Sequence, residues 1–180
     1  MGTNSILAIG AVLIFGTFMS SSNKLMIGNT QVAEQNEYYI TALSLAQSVV
    51  AEARTKSFDQ KTVSGSVPVA DSLSAFCGPD GVGEIVPSPD TLVTGSPFSA
   101  SAPGYLSTVR FNDVDDYNGY RRKVNTLRAE GYTVAVRVGF AGVTNPDSAA
   151  AGKTFCKKMT VTVRSPYLSD SVMVSYAFLY

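Results

Sequence analysis

An uninterrupted apolar run at residues 6–19 limits the folds open to this chain more than any other feature. It contains one hydroxyl group and no charge. A helix of this length is about 21 Å long, which is shorter than the ~30 Å of bilayer hydrocarbon, but extension through residues 1–5 and 20–22 makes it long enough for a tilted span. Lys24 is the only charge before Glu34. The run therefore predicts a helix buried in lipid or at the centre of a helix bundle, and we assign residues 1–24 to this part.

Residues 25–59 continue the helix with a different pattern. Apolar or small residues recur at intervals of seven, at Leu25, Val32, Tyr39, Ala46 and Ala53. This spacing is typical of an amphipathic helix with one apolar face. We expect the helix to end between residues 55 and 59. Six residues of the apolar face are predicted to pack on a sheet, namely Tyr39, Ala42, Leu43, Ala46, Val49 and Val50.

Composition excludes several classes of function. The net charge is zero, with 14 basic and 14 acidic residues and no basic stripe, so no nucleic-acid partner is expected. The chain has no histidine, which excludes serine–histidine and cysteine–histidine catalysis. We therefore predict no enzymatic activity, no catalytic residue and no cofactor. Charged residues make up 16% of the chain, below the ~25% usual for soluble proteins, which favours a strand-rich, self-associating extracellular surface.

Residues 60–104 form an irregular region that is predicted to lie on the surface. They contain six of the eight prolines, and short strands are expected at residues 62–69 and 84–86. The glycine-rich stretch at residues 78–83 lacks the Lys-Ser/Thr pair of a phosphate-binding loop. We predict that it forms a turn.

Residues 105–180 predict an antiparallel sheet that is covered on one face. Apolar and polar residues alternate through residues 132–140, 158–164 and 172–180, and residues 105–111 predict a further strand. Alternation with a period of two and one apolar face is typical of such a sheet. The predicted fold class is therefore α+β, with a long N-terminal helix, first apolar and then amphipathic, packed on a C-terminal antiparallel sheet.

The two cysteines, Cys77 and Cys156, are predicted to form a disulfide. In a chain with an N-terminal apolar segment, a disulfide is favoured over two free thiols. The bond would close a loop of about 80 residues and contribute ~4.5 kcal/mol in the chain-entropy model. The alternative is two buried thiols.

An acidic loop provides the candidate metal ligands Asp113, Asp115 and Asp116. Oxygen ligands in a short loop suit a hard cation such as calcium. The loop does not match the EF-hand spacing. The alternative is an Asx-rich turn whose charge is balanced by the basic residues 121–123.

The order of these elements resembles that of type IV pilins and related pilin-like proteins. Three stretches carry the resemblance: residues 42–59 are similar to the helix end of pilin-like minor subunits, residues 111–120 to a loop of the same group, and residues 157–163 to its penultimate strand. The resemblance implies a pilin-like fold and a subunit that is held in the inner membrane, handled by the pilus assembly machinery and then packed into a homo-oligomeric helical filament. Eight residues are expected to pack in the filament core: Ile6, Leu7, Ile9, Val12, Leu13, Ile14, Phe15 and Phe18.

The chain departs from the family pattern at its N-terminus. The mature helix of the family usually carries a glutamate at its fifth position, which is thought to neutralise the N-terminal amine of a neighbouring subunit, whereas this chain has Ser5. The short basic leader of the family is not found here, so Met1 is either the first mature residue or follows a different leader. Residues 1–5 also lack the basic charge of a secretory signal, and we predict that the apolar segment is retained.

These observations predict a structural subunit of an extracellular type IV pilus-like filament on the cell surface. Adhesion, surface motility and a similar mechanical task are all compatible with this prediction. The alternative is a monomeric, membrane-anchored periplasmic or extracellular binding module, or a pseudopilin. The two differ in whether copies of the chain assemble with one another.

Overall fold

The structure, a computed structural model, describes residues 2–75, 77–81, 83–93 and 95–180, without the side chain of Ser5. The expectation about Met1 and the middle of the predicted glycine-rich turn, Val82, lie outside these residues. The chain divides into two compact units, Met1–Tyr38 and Tyr39–Tyr180. The helices are α1 (Gly2–Ala53), α2 (Gln60–Val63) and α3 (Leu106–Arg110), with short 3-10 turns at Ala70–Ser72 and Asp115–Tyr117. The strands are β1 (Asp90–Val93), β2 (Arg121–Asn125), β3 (Tyr132–Phe140), β4 (Cys156–Arg164) and β5 (Val172–Leu179).

The long N-terminal helix is confirmed, and it continues from the first unit into the second. It ends at Ala53, slightly earlier than expected, where the backbone passes into turns at residues 54 and 55. Ser57 then pairs with the acidic loop, since its N–H donates to Asn112 O at 3.1 Å and its carbonyl accepts from Val114 N at 3.0 Å. This pairing joins the chain after α1 to the acidic loop.

The second unit contains a five-stranded sheet in the order β1-β2-β3-β4-β5. Strands β3 to β5 are antiparallel neighbours, as predicted. Strand β2, which was not predicted, is antiparallel to β3, and β1 pairs with β2 in parallel, so the sheet is mixed. In β3 and β4 the alternation predicts the core face correctly: Tyr132, Val134, Val136, Met159, Val161 and Val163 are all buried. The α+β fold class predicted from the sequence is therefore confirmed.

The end of α1 lies on the core face of this sheet. Glu52 of α1 contacts Arg122 of β2, and Arg54, just beyond the helix, lies 5.5 Å from the ring centre of Tyr176 of β5. Of the six residues predicted to pack on the sheet, Ala42, Ala46, Val49 and Val50 are buried and Leu43 is partly buried. Tyr39 is 52% exposed, because the buried stripe begins one turn later, at Ala42.

Three predicted strands are wrong. Residues 105–111 form helix α3, in which Leu106 and Ser107 are buried and the next three residues are exposed, a helical spacing instead of an alternating one. The stretch at 62–69 begins as helix α2, where Asp59 accepts a hydrogen bond from Lys61 N and forms a capping box with Thr62. Residues 84–86 are not in a strand, and the strand of this region is β1.

Candidate functional site

The apolar surface of α1 is the largest candidate functional feature. The eight residues predicted to lie in a filament core have side chains that are 62–72% exposed in the single chain. The helix is long and apolar enough to cross a membrane. Soluble proteins rarely expose a continuous apolar surface of this size. This part of α1 therefore requires a cover, either lipid or protein.

The exposed apolar surface continues past the length that a bilayer covers. A span needs about 20 helical residues, so one that begins at Gly2 reaches about residue 22. Leu25, Met26, Ile27 and Val32 lie beyond that point and are 53–71% exposed. Lipid hydrocarbon that covers residues 6–19 does not reach Val32, which lies about 20 Å further along the helix than Phe18. A protein surface is the remaining cover for this second stretch.

In the second unit, the Lys157 cluster joins three separate segments. Lys157 lies on the core face of β4 and is fully buried, and its ammonium group donates to Asp59 Oδ2 at 2.7 Å, to Asp115 Oδ2 at 2.6 Å and to Phe58 O at 3.0 Å. The rings of Phe58 and Phe140 lie 4.6 and 5.2 Å from its nitrogen. One positive charge therefore neutralises carboxylates from the chain after α1 and from the acidic loop.

The two carboxylates of this cluster titrate differently. Burial alone would raise the pKa of Asp59, but hydrogen bonds from Lys157 and from the N–H groups of Lys61 and Ser74 hold that pKa below its usual value. Burial raises the pKa of Asp115 to about 6, although Lys157 acts in the opposite direction. The stronger set of donors therefore keeps Asp59 ionised.

The Glu52 cluster anchors the end of α1 to the sheet. Arg122 Nη2 donates to Glu52 Oε2 at 3.1 Å and to Ser107 Oγ at 2.7 Å. Ser107 and Tyr117 hydroxyls both donate to Glu52 Oε1, at 2.7 and 2.9 Å. Arg122 therefore pairs with Glu52 of α1. The alternative of an Asx-rich turn had predicted that Arg122 balances the charge of the acidic loop, and it does not. The hydroxyl of Tyr120 extends the network by accepting from Arg122 Nε.

Replacing Glu52 with glutamine is expected to lower the free energy of unfolding by about 2 kcal/mol. Glutamine keeps one oxygen acceptor but removes the charge that faces the buried Arg122 guanidinium, and hydrogen bonds to charged groups contribute about 1.5–3 kcal/mol. Thermal unfolding of the full chain in detergent micelles measures the change. Glu130→Gln is the matched control because Glu130 is exposed, and equal unfolding temperatures for the two variants would contradict the role of the Glu52 cluster.

The acidic loop is a set of backbone-capping carboxylates, and all three candidate calcium ligands are buried in it. Asp113 Oδ1 accepts from the N–H groups of Asp115 and Asp116, at 2.7 and 3.2 Å. Asp116 Oδ2 accepts from Asn112 N and Asp113 N, at 2.9 and 3.3 Å. Burial, followed by the charge of Asp115, raises the pKa of Asp113 to about 7, and burial also raises the pKa of Asp116 to about 7. The three aspartates therefore have different partners and do not converge on one point.

The predicted disulfide is absent from the structure, in which Cys77 and Cys156 are both free thiols. The charges of Asp115, Lys157 and Asp59 all act on the Cys77 thiol, which places Cys77 near the Lys157 cluster and on the side of the sheet that carries it. Cys156 immediately precedes Lys157 in β4, and successive side chains of a strand point to opposite faces. The two thiols consequently lie on opposite sides of the sheet. Burial raises the pKa of Cys77 to about 12, so this thiol stays protonated.

Lys157 and Arg122 were not predicted from the sequence, although each lies two residues before a buried apolar residue of its strand. Met159, Val161 and Val163 mark the core face of β4, and two residues before Met159 the same face carries Lys157. In β2, Val124 is buried and Arg122 lies two residues before it. A charged residue in register with an apolar face indicates a buried ion pair, because such charges are buried only when they are paired.

Comparison of the chain with protein-family models, with curated proteins and with solved structures finds no match.

Proposed function

We propose that this protein is a structural subunit of an extracellular, type IV pilus-like filament, assembled through the apolar part of α1. The observation that carries the proposal is the exposed apolar surface beyond residue 22. A membrane anchor needs apolar side chains over about 20 residues, whereas α1 also exposes large ones past that length, at Leu25, Met26, Ile27 and Val32. Contact with neighbouring helices covers both stretches at once.

The distribution of apolar side chains favours several copies of this chain as the cover. Between residues 6 and 19 the only polar side chain is that of Thr17, so the helix is apolar on every side. A single partner covers one face of a helix, whereas a bundle of helices surrounds it. Copies that repeat one heterologous contact form an open helical assembly that buries every α1 in this way.

The proposed role is mechanical and not enzymatic. Before assembly, the lipid of the inner membrane covers residues 6–19, and the pilus assembly machinery then transfers the subunit to the filament on the cell surface. Serine replaces the usual glutamate at position 5, so we propose that apolar packing, without that charge pair, holds neighbouring helices in register. Adhesion and surface motility are the tasks that such a filament serves.

Electron microscopy of material sheared from cells that produce this protein tests the proposal, with mass spectrometry of the same fraction. We expect filaments in which this chain is the principal component, with peptides of α1 present. Recovery of the chain only from membranes, as a detergent-soluble monomer, would replace the filament by the alternative of an anchored binding module.

A further inference from the structure

Three carboxylates from two distant segments meet beside the acidic loop of the second unit. Asp80 lies within the glycine-rich stretch at residues 78–83, Glu84 follows it directly, and Asp116 belongs to the acidic loop. Each offers an oxygen, and these oxygens all lie within 4.8 Å of one another. Asp80 is exposed, whereas Glu84 and Asp116 are 3% and 1% exposed. Two buried carboxylates and one at the surface therefore share a single small volume.

The buried oxygens at this place include two without a hydrogen-bond partner among the described residues, Asp116 Oδ1 and Asn112 Oδ1. Asp116 is held rigidly, because its other oxygen accepts from the backbone N–H groups of Asn112 and Asp113. The Asn112 side chain is fixed by its Nδ2, which donates to Glu84 Oε1 at 2.6 Å. A buried oxygen with no donor is costly, so the arrangement favours a ligand that brings positive charge.

Two basic side chains close in sequence or space to the acidic loop have other partners. The buried Lys157 pairs with Asp59 and Asp115. Arg110, which is exposed, donates to Ile85 O and not to a carboxylate. Glu84 accepts from Gly81 N and from Asn112, and both of these donors are neutral. Neither Lys157 nor Arg110 therefore brings positive charge to Glu84 or Asp116.

The ligand set points to calcium. All the candidate ligands are oxygens, which bind hard cations, and the chain has no histidine for a transition metal. The carboxylates and the Asn112 amide come from two separate segments of the chain. Calcium accepts such an irregular set of oxygen ligands, whereas magnesium requires near-ideal octahedral geometry and keeps several of its waters.

We propose that Asp80, Glu84 and Asp116, together with the Asn112 side-chain oxygen, bind a calcium ion that joins Asp80 and Glu84 to the acidic loop. Gly81 supports this assignment. Its N–H donates to the Glu84 carboxylate, and a Cβ at position 81 would overlap that carboxylate. Because Gly81 has no side chain, the Glu84 carboxylate has room to lie beside Asp116.

Terbium luminescence of the full chain in detergent micelles tests the site directly. Terbium(III) occupies calcium sites and emits when a nearby tyrosine is excited, and Tyr117 adjoins Asp116 in a chain without tryptophan. We expect sensitised emission that calcium chloride displaces, with a dissociation constant between about 1 µM and 1 mM. Absence of emission, or emission that calcium does not displace, would overturn the proposal.

Substitutions at these residues test whether the ion binds there. Asp80→Asn removes an exposed charge without disturbing the core, and we expect it to weaken calcium binding about tenfold, which is the effect of ~1.4 kcal/mol. Gly81→Ala is expected to abolish binding by displacing Glu84. Asp170→Asn, also an exposed aspartate, is the control and should bind as the unmodified chain does. Unchanged affinity in both Asp80→Asn and Gly81→Ala would place the ion elsewhere and refute the site.

Thermal unfolding separates calcium from other divalent ions. Calcium at about 100 times its dissociation constant is expected to raise the unfolding temperature of the full chain by about 5 °C, since it binds the folded state only. Magnesium chloride at the same concentration is expected to leave it nearly unchanged. Equal shifts with both salts would show a nonspecific effect and would contradict the proposed calcium site.

Discussion

Filaments are expected to disappear from the sheared fraction when Leu13 is replaced by aspartate. Leu13 is 64% exposed in the single chain, and in the proposed filament core it is buried against several neighbouring helices. The substitution loses about 1.5–3 kcal/mol of apolar burial and adds a charge that costs about 2.5–3.5 kcal/mol to bury in an apolar phase. Every copy brings the same charge, so like charges also repel along the core. A loss of about 4 kcal/mol per contact corresponds to about three orders of magnitude in association constant.

Two controls separate failed assembly from failed insertion. Leu13→Met conserves volume and apolar character, so it costs less than about 1.5 kcal/mol and filaments are expected to persist. Immunoblotting of the membrane fraction should find the Leu13→Asp chain there at its usual level, because a single charge in an otherwise apolar helix still allows insertion. Normal filaments of the aspartate variant would show that Leu13 lies outside the assembly contact, and the proposed packing of α1 would be wrong.

Local pattern was sufficient to predict the elements whose burial is periodic. The alternation in β3 and β4 sets one face against the core, because a shift of one residue would expose every valine on that face. The helical stripe from Ala42 to Ala53 is likewise determined by which residues are small and apolar. In these segments the sequence and the tertiary environment favour the same conformation. The two strands and this stripe of the helix were therefore predicted correctly.

Elements that depend on distant partners were not predictable in this way. The stretch at residues 105–111 was predicted to be a strand, but it forms α3, which places Ser107 against Glu52 and Arg122. The parallel pairing of β1 joins residues separated by about 30 positions, and no local signal specifies it. Long-range hydrogen bonds and ion pairs can outweigh the weak intrinsic preferences of a five-residue segment.

The candidate sites likewise differ in whether local sequence or distant contacts determine them. The apolar surface of α1 follows directly from composition, and its exposure in the single chain agrees with the prediction that it needs a partner. The Lys157 cluster joins residues that are 98 and 42 positions apart, and only the fold brings them together. Asp80 and Glu84 lie more than 30 positions before the Asp116 that they face, so the acidic loop alone identified one of the three proposed calcium ligands.

Replacing Lys157 with methionine is expected to lower the free energy of unfolding of the second unit by about 3–5 kcal/mol. Methionine fills much of the same space but leaves the buried Asp59 and Asp115 without the cation that neutralises both. Removing one partner of a buried ion pair is more costly than the pair is favourable, because the remaining charge stays desolvated. Such a loss is a large part of the ~5–15 kcal/mol that stabilises a typical domain, and it lowers the unfolding temperature by about 10 °C.

Near-ultraviolet circular dichroism of the full chain in detergent micelles follows the unfolding through its tyrosines. Lys158→Met is the matched control, since Lys158 is the next residue and its ion pair among the described residues is with Asp147, whose side chain is 88% exposed, so a change within about 0.5 kcal/mol is expected. Adding Asp59→Asn and Asp115→Asn to Lys157→Met should recover part of the lost stability, because the cost arises from unpaired charge. Equal unfolding temperatures for the Lys157 and Lys158 variants would mean that the Lys157 cluster does not hold the acidic loop and the end of α1 against the sheet.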